Sequence, residues 1–185
     1  NIDKDEIESY LSKARRIIEN SNDISAKAQL MHSIGNYYNN QYNIEEGLYY
    51  IQKSIEYYKQ ININPGVGFY ILGSKNLLMG NYDEGFKYLN ISKQVFQKED
   101  NHMRLSYIDG LFGDYYLQKS NYEKAITYYE KELDYWINRG HDTKIYAEVR
   151  LKTSIAFAKN KMNLDYDKNN LKNLMTRYNK YMSEN

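Results

Sequence analysis

Apolar positions recur along this chain every three or four residues, the spacing of one helix face, and the alternation of a half-buried strand is nearly absent. The pattern starts at residues 3–19, where Ile7, Tyr10, Leu11, Ala14, Ile17 and Ile18 share one stripe. Eight further segments follow in pairs: 25–40 with 44–60, 67–79 with 82–98, 102–118 with 122–138, and 144–160 with 168–182. Turn-forming stretches separate them. Asn39-Asn40 and Asn62-Ile63-Asn64-Pro65-Gly66 are read as turns, because Asn and Gly tolerate left-handed geometry and proline stops a helix. Gly140-His141-Asp142 marks the joint into the last pair. The expected fold is all-α, with about nine helices.

Three stretches align on one another. Gly35, Gly73 and Gly113 each have an Asn eight residues on (Asn43, Asn81, Asn121), and a small residue four positions later (Gly47, Gly85, Ala125). The copies are offset by 38 and 40 residues. A fixed period in this range marks stacked units, each burying its apolar face against the next. A helical Gly costs about 1 kcal/mol relative to Ala, yet five of the ten glycines fall in helical patterns. Close backbone approach explains this, with Gly35 facing Gly47, Gly73 facing Gly85 and Gly113 facing Ala125. Large residues close each hairpin: Met31, Ile34, Tyr38, Leu48 and Ile51, then Phe69, Leu72, Phe86 and Leu89, then Phe112, Tyr116, Ile126 and Tyr129.

Over residues 28–138 the chain resembles the tetratricopeptide repeat (TPR) family. Shared features are small residues at the eighth and twentieth repeat positions, a large seventh residue, and aromatics at the eleventh and twenty-fourth. Asn76 and Asp109 depart from that pattern, no proline closes a unit, and the period exceeds the usual 34. The resemblance implies a right-handed superhelical array of antiparallel helix hairpins forming a single domain, 1–185. Residues 3–19 would be a cap or partial repeat; 25–60, 67–98 and 102–138 the repeats; and 144–182 a degenerate terminal hairpin.

Composition narrows the rest. There is no cysteine, hence no disulfide or thiolate metal site. No apolar run is long enough to span a bilayer and no secretory signal is visible, so a cytoplasmic location without membrane contact is expected. The chain opens on Asn1 rather than Met, which reads as a piece of a longer protein whose remainder would hold an output domain. The 22 tyrosines include five adjacent pairs, read mostly as core and border rings. Net charge is +1, but residues 144–185 carry nine Lys or Arg against four acids, and residues 1–143 sixteen against twenty. The basic end has no base-reading motif and its lysines are spaced as on a solvated face, so direct nucleic-acid binding is not expected.

Catalytic and cofactor motifs are missing. His32, His102 and His141 form no metal-binding pair, and Gly66-Val67-Gly68 lacks the rest of a phosphate-binding fingerprint. Asp165 and Asp167 lack the rest of a calcium loop, and Asn90-Ile91-Ser92 matches a glycosylation acceptor on a predicted helix. No nucleophile is followed by a credible base, so neither an enzyme nor a cofactor is expected.

In a stack of hairpins the first helices line a concave face suited to a peptide. Positions alternating with the core stripe are Gln29, His32, Asn36, Asn39 and Asn40, then Val67, Tyr70, Ser74 and Leu77, then Tyr107, Gly110, Asp114, Leu117 and Gln118. The 40-residue offset adds Arg150 and Ser154. Asn36 falls at the ninth repeat position, where peptide-binding members of the family hold the ligand backbone with Asn, whose amide both donates and accepts. Tyr70 with Leu77 would form an apolar pocket, and Asp114 would receive a basic ligand residue. The composition and polar concave face further resemble the peptide-sensing domains of Gram-positive quorum-sensing regulators. That resemblance implies a short signal peptide in the groove, altered curvature or homodimer contacts, and an output module elsewhere. Two alternatives stand beside it. One is an assembly scaffold or co-chaperone holding a folded protein, although the clamp lysine of such proteins is replaced by His32, Tyr70 and Gly110. The other is the sensor segment of a larger signalling protein.

Overall fold

A computed structural model describes residues 4–139 and 144–184; the joint expected at Gly140-His141-Asp142 lies outside them. Among the described residues there are nine helices and no strand: α1 (Lys4–Glu19), α2 (Ile24–Asn40), α3 (Ile44–Gln60), α4 (Gly66–Leu78), α5 (Tyr82–Lys98), α6 (His102–Gln118), α7 (Tyr122–Arg139), α8 (Lys144–Lys161) and α9 (Lys168–Glu184). Helices α3, α5 and α6 match both expected boundaries, and the others shift by one or two residues at an end. The chain divides into two compact units, Asn1–Val95 and Phe96–Asn185.

In the first unit, α2 pairs with α3 and α4 with α5 through their glycines. A methyl group on Gly35 would sit 2.9 Å from the Gly47 carbonyl oxygen, and one on Gly73 3.0 Å from that of Gly85. In α4 and α5 each backbone blocks a side chain on the other, whereas at Gly47 it is the Asn39 side chain that fills the space. Around the crossings Ala28, Ile34, Ile51, Phe69, Leu72 and Leu89 are buried. Ser54 donates to the Ala28 carbonyl and Ser92 to that of Gly66, both at 2.8 Å, tying each second helix to the start of its first. Ile51, Ile55, Phe69 and Leu72 then join α3 to α4 in one cluster. Helix α1 docks through Arg15, which donates to the Tyr38 hydroxyl at 3.0 Å and lies over the Tyr50 ring.

The second unit pairs α6 with α7, and α7 also packs on α8. Here Gly113 faces the ring of Tyr129; Ala125, its expected partner, is buried in the same cluster with Trp136, Ala147, Leu151 and Ile155. The α7 stripe therefore forms its core with α8.

One recurrent turn ends the first helix of each repeat, at the in-register Asn rather than at Asn39-Asn40. Asn39 and Asn40 still belong to α2. The left-handed residue is the one before each in-register Asn: Tyr42 (φ 60), Gly80 (φ 83) and Ser120 (φ 57). The following Asn N–H then bonds back five residues, Asn43 to Tyr38, Asn81 to Asn76 and Asn121 to Tyr116, at 2.9–3.0 Å, closing a Schellman-type end. Asn121 also accepts from the Lys124 N–H, so this Asn starts the next helix.

Asn39 is the exception to this packing. It is 5% exposed, yet neither atom of its amide finds a hydrogen bond among the described residues. The position one repeat on is Leu77, whose side chain packs against Gly85 as Asn39 packs against Gly47. A buried amide without partners costs roughly 1–3 kcal/mol. Asn39→Leu is therefore expected to raise the urea-unfolding free energy by about 1 kcal/mol or more; a loss of stability would show that the amide is satisfied and needed.

Candidate functional site

The third repeat departs from the first two along one stripe. Where α3 and α5 carry Ile51, Ser54 and Tyr58, then Leu89, Ser92 and Phe96, α7 carries Tyr129, Glu132 and Trp136. Two of the three have become polar and longer. They point between α6 and α8, where the neighbouring positions have changed with them.

Glu132 is 1% exposed. Its carboxylate accepts from the Arg150 guanidinium of α8 and, at 3.3 Å, from the Trp136 indole N–H. It fits because Gly110 has no side chain: a methyl group there would collide with the Glu132 carboxylate and stand 3.1 Å from Arg150 Nη2. The same register position carries His32 and Tyr70 in the first two repeats. Burial pushes the Glu132 carboxyl above its usual range, against the pull of Arg150 and Trp136. Burial opposes the Arg150 charge as well, but Glu132 and Asp114 more than offset it and raise its pKa.

One turn earlier on α7, Tyr129 is fully buried over Gly113 and its hydroxyl donates to Asp114 Oδ1 at 2.8 Å. Ser154 of α8 is a second partner of that hydroxyl. Burial, with Asp114 adding to it, drives the Tyr129 pKa well up and keeps the phenol a neutral donor. Burial also raises Asp114, with Tyr129 and Arg150 acting the other way. At the far end Trp136 lies against Tyr107, ring centroids 5.3 Å apart, and Tyr107 remains 39% exposed. Three layers thus run along the site: Asp114 and Ser154 over Tyr129, Gly110 and Arg150 over Glu132, and Tyr107 over Trp136.

Of the residues singled out in the sequence, Tyr107, Gly110, Asp114, Arg150 and Ser154 meet here. Gln118 lies exposed at the end of α6, and Leu117 packs on the hydrophobic core of the unit. In the first unit Asn36 is half-buried without a side-chain hydrogen bond among the described residues, His32 is half-buried, and Asn40 is exposed. Gln29 is exposed and reaches Ser25 at 3.4 Å. Val67 and Tyr70 are half-buried, and Ser74 bonds back to the Ile71 carbonyl. Asn39 and Leu77 are enclosed in their own hairpins, so the apolar pocket expected of Tyr70 with Leu77 lacks one wall. Sequence reasoning missed Glu132 and assigned Trp136 no place; Tyr129 closes its hairpin as expected and bonds Asp114 as well. The signal was there: the Ser-Ser-Glu series at 54, 92 and 132 breaks a repeat in step with Gly110.

This arrangement of hairpins matches solved structures. BtubC (BKLC) from P. vanneervenii superposes with a TM-score of 0.76 over 96% of this chain and 72% of that one, at 11% identity. A putative kinesin light chain with nearly identical TPR-like repeats, from Podosopora anserina, gives 0.63 over 97% and 88%, at 8% identity. The fold is a TPR-like helical repeat. No protein-family model matches the sequence, and no curated protein does either. Among the described residues no His, Cys, Asp or Glu group could hold a metal ion, and no helix is long and apolar enough to cross a membrane.

Burial of Asp114 gives stability a pH dependence of definite sign. A carboxyl whose pKa is higher folded than unfolded adds stability below its unfolded value, near 4, and loses it as pH rises through the folded value. Relative to Asp114→Asn, the wild-type protein is therefore expected to lose unfolding free energy as pH rises from about 4 through the raised folded value of Asp114, by at most about 1.4 kcal/mol per pH unit. Urea titrations at several pH values test this; a gap that widens in favour of wild type as pH rises would contradict it.

Proposed function

We propose that this chain is a non-enzymatic recognition module that binds a short peptide on the first-helix faces of its repeats, and serves as the regulatory part of a larger signalling system. The supporting observation is the polar network between α6 and α8. The repeat pattern elsewhere fills this stripe with Leu or Ile and Ser, at no electrostatic cost; here Glu132 is the one buried charged side chain among the described residues, with half-buried Asp114 beside it. A buried ion pair seldom improves on well-packed apolar residues, so its position beside exposed Tyr107 and half-open Arg150 suits recognition better than scaffolding. Asn36, half-buried on α2 and without a side-chain hydrogen bond among the described residues, suits the grip on a peptide backbone that the repeat resemblance implies. The network holds its protons rather than moving them: Tyr129 is fixed as a donor to Asp114. This favours binding over catalysis.

The TPR-like fold is compatible with a second reading, an assembly scaffold or co-chaperone for a folded protein. A pooled library of short peptides read by thermal shift separates the two, with Asn36→Ala and Tyr107→Ala alongside. A ligand held only by the folded state at a hundred times its Kd stabilises by about 2.7 kcal/mol. Hits weakened by either substitution are expected; no shift from any pool would move the function to the folded-partner reading.

A further inference from the structure

Counting charge across the α6–α8 network leaves one carboxylate too many. The groups that face one another are Asp114 from α6, Tyr129 and Glu132 from α7, and Arg150 from α8. Tyr129 is neutral, and the single guanidinium is hydrogen-bonded to Glu132, the deeper carboxylate. The next cation along α8, Lys152, is held by Glu148 at 2.7 Å. Asp114 therefore has one oxygen on Tyr129 and a second, Oδ2, with no hydrogen bond among the described residues. Asp114 is half-buried, and Arg150 acts on it only through space while hydrogen-bonding Glu132, so the two carboxylates share one positive charge. The exposed ring of Tyr107 stands seven residues away on the same helix, about 10 Å along it.

We propose that Asp114 is the receptor for one ligand cation, an ammonium or guanidinium presented by a bound peptide, with the Tyr107 ring as the apolar wall for a neighbouring side chain of that peptide. The added charge balances the network: Glu132 with Arg150, Asp114 with the ligand. An extended chain advances about 3.3 Å per residue, so a residue three positions from the cation reaches Tyr107, where an apolar or aromatic side chain gains most. The inference rests on the peptide-binding reading but can fail separately, since a neutral or acidic peptide could still bind elsewhere on the protein.

The chain supplies its own reporter. Trp136 is its single tryptophan, and the indole N–H bonds to Glu132 inside the network. The probes are N-acetyl-arginine amide, N-acetyl-lysine amide and the free-amine tripeptide Ala-Ala-Ala-amide, with N-acetyl-glutamate amide as the opposite charge. Titration followed by the indole 1H–15N resonance and tryptophan fluorescence is expected to saturate with the cations and not with glutamate. The two acetylated probes against the free amine distinguish a ligand side chain from an N-terminus. Asp114→Asn keeps the acceptor for Tyr129, and its dispersed indole peak confirms folding; cation binding should weaken at least on the order of tenfold, which is 1.4 kcal/mol. In wild type, cation affinity should fall as pH drops through the raised Asp114 pKa. No saturation by any cation, equal binding by Asp114→Asn, or preference for glutamate would overturn the proposal, the last by assigning the ligand to Arg150.

Discussion

Two helix backbones touching at a pair of small residues is the constraint on which the remaining geometry depends. At Gly35 against Gly47, and at Gly73 against Gly85, a single methyl group would meet a carbonyl oxygen at about 3 Å. That contact sets the depth of each hairpin, and with it the direction of the second helix's stripe. In α3 and α5 the stripe ends in a serine that reaches the first helix's opening carbonyl. In α7 the same register places Tyr129 and Glu132 so that they project past α6 toward α8. The candidate site is thus the packing stripe of a repeat, rewritten with longer polar residues.

The sequence made the helices and their pairing readable because both depend on short-range periodicity, which composition cannot disguise. The positions of the small residues carried over as well, since a close crossing tolerates little else. Turn chemistry was harder. Tyr42 and Ser120 occupy left-handed geometry without being glycine, so neither carries a turn signal of its own type, and only the Asn that follows marks the place. The polar network was half legible. Asp114 and Arg150 emerged from carrying the first-helix face forward by one repeat, whereas Glu132 lay on a second-helix stripe that pattern reasoning assigns to the core. It is in the core, and its charge is what distinguishes it. Leu77 and Asn39 fail for the opposite reason: the stripe on the first helix is wide enough to turn both into the hairpin.

Electrostatics gives the site its character. Each carboxylate is held where burial disfavours its charge, and a single guanidinium serves both, bonding one and acting on the other through space. Arg150 is 35% exposed at the side chain while Glu132 is at 1%, so the cation screens a charge lying beneath it. Such an arrangement holds Arg150 in one orientation and leaves Asp114 nearer the surface. The tyrosine hydroxyl links the two outer helices through Asp114 and Ser154. A repeat that needed only to pack would have kept Leu and Ser, as the second one does.

The unfolding free energy of a chain whose third repeat is rewritten to the second tests this most directly. Gly110→Tyr, Asp114→Ser, Tyr129→Leu, Glu132→Ser and Arg150→Tyr together replace the network with the residues at 70, 74, 89, 92 and again 70. If the network exists for recognition rather than stability, the fivefold variant unfolds within about 1 kcal/mol of wild type or above it, as replaced buried ion pairs commonly do. A loss of about 3–5 kcal/mol, the scale of a broken stabilising pair, would contradict the account and make Glu132 and Arg150 part of what holds the repeat together.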